Sequence, residues 1–290
     1  MLKSGPRRVS PFFIPMMISN MAAGLIAIRF QAKGPCIDVT TACATGSTAL
    51  GEAFRAVRHG YADVILAGGS EAAITTIGVA GFTNMTALSL STDPDSASLP
   101  FDKRRSGFVM GEGAGALVVE EYEHARLRGA KIYAEVIGYG STCDAHHMTA
   151  PDPEAKSSAK AIADALGECG DEKIYINAHG TGTPLNDVAE TAAIKLALGD
   201  KISQTVVSST KSMTGHMLGA AGAVEAIISA LALDTGMVPP TVGLLEPDPD
   251  CDLDYVPCRA RRVDAKIALS VSLGFGGHNA CIGLRRMENE

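Results

Sequence analysis

The chain has 290 residues, 46% hydrophobic and 20% charged, with a net charge of −7, enough to bury a large core in one domain or in two fused halves. The acidic balance argues against nucleic acid, and no window reaches ~18 uninterrupted apolar residues, so no membrane span is expected. Seven cysteines without a Cys-x-x-Cys pair, and a Met1-Leu2-Lys3 start without a signal-peptide pattern, point to a reducing cytoplasm and free thiols.

Gly5-Pro6-Arg7-Arg8-Val9-Ser10-Pro11 is loop chemistry, and Pro15 to Ile28 reads as a helix that tolerates Gly24. Cys36 to Thr40 is a short β-branched run that predicts a buried strand. Thr41-Ala42-Cys43-Ala44-Thr45-Gly46-Ser47 follows, and Ala49 to Val57 has helical spacing, so Cys43 falls at a strand-to-helix turn. The unpaired N–H groups and dipole of a helix start favour an anion, which predicts a depressed Cys43 pKa and partial thiolate. A small buried cysteine packing like alanine is the competing reading.

Ala62 to Ala67 predicts a second buried strand, closed by Gly68-Gly69. Phe101-Asp102-Lys103-Arg104-Arg105-Ser106-Gly107 clusters charge and reads as a solvated or ion-paired loop. Gly111-Glu112-Gly113-Ala114-Gly115 lacks the Lys-Ser/Thr of a phosphate loop and leads into a strand, Ala116 to Glu120, which argues against a nucleotide role. A short helix over Glu121 to Arg128, a strand over Ile132 to Gly140 and a helix within Pro151 to Gly167 come next.

Lys173 to Ala178 is then a strand that runs into His179-Gly180-Thr181-Gly182-Thr183-Pro184, a loop no regular element needs. Asn186-Asp187 reads as the cap of a helix ending at Leu198. Gln204 to Ser209 is a strand leading through Lys211-Ser212-Met213-Thr214-Gly215-His216 into an Ala-rich helix, Leu218 to Leu233. That helix is apolar on nearly every side apart from Glu225 and should be buried. Lys266 to Ser272 and Ala280 to Leu284 form a hairpin around Gly274-Phe275-Gly276-Gly277-His278-Asn279. A weak internal repeat aligns Cys43 with His216: each precedes a glycine by three residues and a Glu-Ala pair by nine. Two related halves would bring these turns together at the carboxyl ends of their strands, where α/β sites form.

Four motifs in order, TTACATGS, NAHGTGTPLND, KSMTGHMLGAAGAVE and GFGGHN, resemble the β-ketoacyl-acyl-carrier-protein synthases of the synthase I/II branch, and Asp144 to Pro151 favours the synthase II subgroup. The resemblance covers essentially the whole chain. It implies an α/β, thiolase-like fold layered α-β-α-β-α, with two related halves at 1–130 and 131–290. Each half would carry a five-stranded sheet, the first being truncated because relatives have a further N-terminal segment. On that ground the chain alone is expected to be incomplete and unstable, with the Cys36 to Thr40 strand left as an unpaired edge.

The implied reaction is the decarboxylative Claisen condensation of fatty-acid elongation, in the cytoplasm, by a homodimer that acts on acyl carrier protein and needs no metal or organic cofactor. By the resemblance, Cys43 is the nucleophile, and the N–H groups of Cys43 and Phe275 form the oxyanion hole. His179 and His216 bind the malonyl thioester oxygen, and Lys211, paired with Glu225, sets the electrostatics. Phe275 gates the acyl pocket, Thr181, Thr183 and Phe82 contact substrate, and Asp187 supports the site. His59, His124, His146 and His278 are left out. The alternatives are a polyketide-type ketosynthase and an inactive partial chain. A thiolase is disfavoured because Leu284-Arg285-Arg286 follows Cys281-Ile282-Gly283 where a glycine-rich run would be needed; a synthase III would have Asn where His216 stands.

Overall fold

A computed structural model describes residues 5–288, so the Met1-Leu2-Lys3 start lies outside the described residues. Two compact units divide the chain, Met1–Thr40 and Thr41–Glu290. In the first, the helix expected over Pro15 to Ile28 is two helices, α1 (Phe13–Met17) and α2 (Met21–Phe30). Ile18 turns extended between them, at Ser19-Asn20, residues whose side chains compete with helical backbone bonding. The strand expected at Cys36 to Thr40 is absent: these residues have no ladder partner among the described residues, and Ile37 is 75% exposed. A β-branched run becomes a strand only where a neighbour supplies the ladder.

The second unit begins with a 3₁₀ turn, Ala42–Ala44, that enters helix α3 (Thr45–Arg58). Strand β1 (Val64–Glu71) follows and pairs antiparallel over its whole length with β2 (Gly113–Glu120). Helix α4 (Thr76–Asn84), whose first turn is capped by Thr75, lies between them in sequence, and α5 (Tyr122–Leu127) comes after. The remaining elements are β3 (Ala134–Cys143), α6 (Lys156–Leu166), β4 (Ile174–Asn177), α7 (Pro184–Leu198), β5 (Thr205–Ser208), α8 (Lys211–Thr214), α9 (Ala221–Thr235), β6 (Met237–Val238), β7 (Arg261–Arg262), β8 (Ile267–Gly274) and β9 (His278–Arg286).

A five-stranded sheet in the order β3-β9-β8-β4-β5 forms the core of this unit, parallel through β8-β4-β5 and antiparallel at β3-β9-β8. Strand β4 is buried at every position, as a strand covered on both faces must be. Helix α6 covers one face with α7 packed on it, and α3 and α9 fill the space between this sheet and the β1-β2 ribbon. The layering is therefore helix, sheet, helix pair, ribbon. The ribbon has two strands rather than five, and its outward side chains Val64, Leu66 and Val118 are 41–55% exposed.

Leu218–Thr235 is long and apolar enough to cross a bilayer by length and composition. Here it is a core helix, with Glu225 bonded to Lys211 in its middle and its small side chains against α3, β1, β2 and β8. Where α3 and α9 cross, a β-carbon on Gly46 would lie 2.5 Å from the Ala223 nitrogen, and one on Gly222 would lie 2.6 Å from the Ser47 nitrogen. This reciprocal contact pairs Gly46 with Gly222. The repeat register read from sequence is thus corrected: Cys43 corresponds to Gly219, and His216 lies one turn earlier. The left-handed residues confirm it, Ala42 (φ 49°) before Cys43 and Leu218 (φ 45°) before Gly219.

Candidate active site

Cys43 sits in the buried 3₁₀ turn that opens α3, and the end of β8 packs against it. A β-carbon at Gly274 would meet the Thr41 carbonyl at 2.8 Å and the Cys43 nitrogen at 3.2 Å, so only glycine lets the hairpin approach this closely. The approach lets the N–H of Phe275 and that of Cys43 itself hydrogen-bond the sulfur in its charged form. Phe275 is half-buried in the hairpin turn, beside Gly276 and Gly277, whose φ values of 88° and 76° require the left-handed region.

The expected thiolate is not found. Burial pushes the Cys43 thiol up to about 11, and the Lys211 charge together with the two N–H groups offsets only part of that. The helix start supplies donors, but desolvation is the larger effect.

His179 lies near the start of the loop after β4 and His216 in the turn after α8, and their rings meet edge to face with centroids 5.2 Å apart. Both are buried, and burial holds both well below the usual imidazole range, with Lys211 adding to the effect. They are neutral at pH 7. The Leu218 N–H donates to His216 Nδ1 at 3.3 Å, which places the His216 proton on Nε2. His179 Nδ1 is buried with no hydrogen-bond partner among the described residues. The His216 backbone is fixed by its N–H to the Val109 carbonyl (2.7 Å) and by the Gly111 N–H to its own carbonyl (2.9 Å).

Lys211 and Glu225 are buried and joined at 2.5 Å, and Lys211 opens α8 while Glu225 projects from α9. Burial raises the Glu225 carboxyl to about 7, with Lys211 pulling it down. Thr181 and Thr183 share a hydroxyl–hydroxyl bond of 3.0 Å in the loop after His179. Phe82 does not reach the histidines. It meets the edge of Phe108, and Phe108 in turn meets His216, each pair with centroids 5.3 Å apart.

Asp187 does not cap α7. Thr183 is the N-cap residue, without a side-chain cap bond, and Asp187 lies buried within the first turn. Its carboxylate accepts the N–H groups of Phe101 (2.7 Å) and Gly182 (3.2 Å), tying the charged 101–107 loop to the His179 loop. In that charged loop Asp102 is fully buried and held by a two-pronged Arg104 bond, so the loop is ion-paired rather than solvated.

Two members of the site escaped the sequence reading. Glu190 accepts the N–H groups of His179 (2.6 Å) and Gly180 (2.7 Å), which fixes the histidine's backbone. Its recurrence with Asp187 and Ile194 on one side of α7, an acidic pair on an apolar stripe, was the available sign. Phe108 had none, since a lone aromatic in a loop reads as core. Among the described residues no group of three or more His, Cys, Asp or Glu could hold a metal ion, and all seven cysteines are free.

Layered α/β architecture, a cysteine at a strand-backed helix start and paired neutral histidines define a thiolase-like acyl-transfer enzyme. The model for the β-ketoacyl synthase N-terminal domain matches residues 1–125 and that for the C-terminal domain matches residues 133–245. A 3-oxoacyl-[acyl-carrier-protein] synthase 2 of Synechocystis sp. is 54% identical over 99% of this chain and 70% of its own length. One of Staphylococcus aureus is 51% identical with the same coverage. Among solved structures, the ketosynthase complex of a type II PKS acyl-carrier protein superposes with a TM-score of 0.94 at 38% identity, over 98% of this chain and 71% of that one. A β-ketoacyl synthase from Burkholderia phymatum gives 0.90 at 38% identity, over 99% and 71%. The chain belongs to the β-ketoacyl synthase family of condensing acyltransferases.

Proposed function

We propose that this chain is a 3-oxoacyl-acyl-carrier-protein synthase of the second type, acting in fatty-acid elongation through Cys43, His179 and His216. The observation that carries the residue roles is the histidine pair. Two neutral imidazoles stand together, one with its Nδ1 already filled so that only Nε2–H can donate, the other with a buried nitrogen that has no partner among the described residues. Such a pair suits a neutral thioester oxygen that becomes an enolate, because N–H donors fixed in place stabilise charge as it develops.

In the first half-reaction Cys43 Sγ attacks the acyl thioester. The carrier's thiol leaves with the proton, and the tetrahedral oxyanion is held by the N–H groups of Cys43 and Phe275. The thiol's high pKa makes Lys211 the group that favours thiolate at the moment of attack. In the second, CO₂ leaves the malonyl thioester, and the enolate oxygen accepts hydrogen bonds from His179 and His216. The enolate carbon then attacks the Cys43 thioester, and collapse expels the Cys43 thiolate. Phe275 serves as the gate, Thr181 and Thr183 hold the carrier's arm, and Asp187 and Glu190 position the His179 loop. The halves divide near residue 130. The carrier is acyl carrier protein, the enzyme is a cytoplasmic homodimer, and the synthase 2 relatives, more similar in sequence than the PKS ketosynthase, favour fatty-acid over polyketide substrates.

The test separates the two half-reactions. Incubation with an acyl-carrier-protein thioester should place the acyl group on Cys43 by peptide mass spectrometry; an adduct on another cysteine, or none, refutes the nucleophile. His179→Ala or His216→Ala should lower malonyl decarboxylation at least ~10²-fold while Cys43 acylation survives in part. Loss of acylation with decarboxylation intact would reverse the roles.

A further inference from the structure

We propose that Glu71 is a positioning residue for His216. This extends the reading given above, in which His216 donates to the malonyl thioester oxygen. Glu71 is the last residue of β1, half-buried, and its Oε2 accepts the N–H of Gly219 at 3.3 Å. Gly219 lies in the 3₁₀ turn Leu218–Ala220 that opens α9, next to the Leu218 N–H that donates to His216 Nδ1. The backbone of His216 is bonded to Val109 and Gly111, but its ring has one hydrogen bond among the described residues, the one from Leu218. Leu218 itself is in the left-handed region at φ 45°, unfavourable for a branched side chain, so the turn needs an external hold. Glu71 supplies one.

The internal two-fold explains why a carboxylate stands there. The turn at Ala42–Ala44 and the turn at Leu218–Ala220 are counterparts, and each is backed by the end of a strand, β8 for the first and β1 for the second. At the first turn the position after the left-handed residue is Cys43, whose N–H belongs to the proposed oxyanion hole. At the second it is Gly219, with no side chain, and its N–H is taken by Glu71. A β-carbon on Gly219 would come within 3.3 Å of Glu71 Oε2, a tight contact to which the carboxylate would have to give way by a few tenths of an ångström. The second half thus keeps the anion-accepting turn of the first and fills it from within. What remains there is a hold on the geometry of His216.

The test reads His216 directly. With ¹⁵N-histidine-labelled protein, His216 (assigned by its loss in H216N) should show a protonated Nε2 and an accepting Nδ1. Glu71→Gln retains an acceptor for the Gly219 N–H and should keep that pattern. Glu71→Ala, or Glu71→Met if the alanine variant does not fold, should lose it and exchange between tautomers. In the same variants malonyl decarboxylation should fall at least ~10-fold, the scale of a misplaced catalytic group, with Cys43 acylation within about threefold of wild type. Unchanged His216 resonances in the alanine or methionine variant overturn the proposal, as does an equal loss of both half-reactions, which a merely structural role would give. A wild type that does not decarboxylate malonyl thioesters would refute the condensing role of the histidines, and the histidine spectra would still decide the case of Glu71.

Discussion

A β-carbon added to Gly46 would stand 2.5 Å from the backbone nitrogen of Ala223, closer than any real contact. Helices α3 and α9 meet there backbone to backbone, and the turns that carry Cys43 and follow His216 run directly into these two helices. Gly46→Ala must push the helices apart. It should lower stability by ~1–3 kcal/mol in urea unfolding, the usual range for overpacking, and slow both half-reactions together. Gly24→Ala in α2 meets nothing within 4 Å among the described residues and should leave stability unchanged or slightly raised.

The Lys211–Glu225 pair predicts an asymmetric double-mutant cycle. Lys211→Met leaves a buried carboxyl whose other oxygen, Oε2, has no partner among the described residues, and should destabilise by ~3–5 kcal/mol. Replacing both, Lys211→Met with Glu225→Leu, should recover most of that loss. A double variant as unstable as the single one would show that the pair is not the source of the effect.

Cys43 titration follows from its burial. With a thiol at about 11, the rate of iodoacetamide alkylation at Cys43 should climb about tenfold per pH unit from pH 7 to pH 10 without a plateau. Because Lys211 pulls this thiol down, Lys211→Met should slow alkylation further at every pH in that range. A plateau below pH 8 would contradict the desolvated thiol.

Glu190 links the site to the pH dependence of folding. Burial raises its folded-state value from 4.5 to about 7, so between those pH values the folded chain binds the proton more firmly than the unfolded chain. Stability from this group is then greatest below pH 4.5 and is lost as pH rises to 7. Relative to Glu190→Gln, the wild type should lose about 1.4 kcal/mol per pH unit between pH 5 and pH 7, read from urea midpoints. A gap between the two proteins that does not change with pH would refute the raised carboxyl.

What the sequence revealed and what it hid divide along one physical line. His179, His216 and Phe275 were legible because each lies, after a regular element, in a glycine-containing turn that packing alone does not require. Strands β4, β5, β8 and β9 and helices α7 and α9 were legible from continuous apolar runs with turn residues at their ends. The acidity of Cys43 was not, since it depends on how deeply the turn is buried by β8, a contact between residues far apart in the chain. Cys36 to Thr40 misled for the same reason: its residues suit a strand, but a ladder belongs to two segments. The repeat is visible in residue spacing but set one helical turn off, because matching glycines carry no record of which backbone dihedral precedes them. Asp187 looks like a helix cap in sequence and Glu190 like any helix acid, because the loop N–H groups they accept are supplied by folding.

The uncovered side of the β1-β2 ribbon bears on how the protein behaves as a colloid. Val64, Leu66 and Val118 form one apolar strip on this face, with Glu120, paired to Arg128, beside Val64 at one end. Mutual adhesion between molecules should begin at this strip, since it offers apolar surface and unsatisfied main-chain groups together. The highest concentration at which the protein stays dispersed is therefore set by a surface remote in character from the catalytic turns. Light scattering should respond to Leu66→Lys far more than to any change among the histidines.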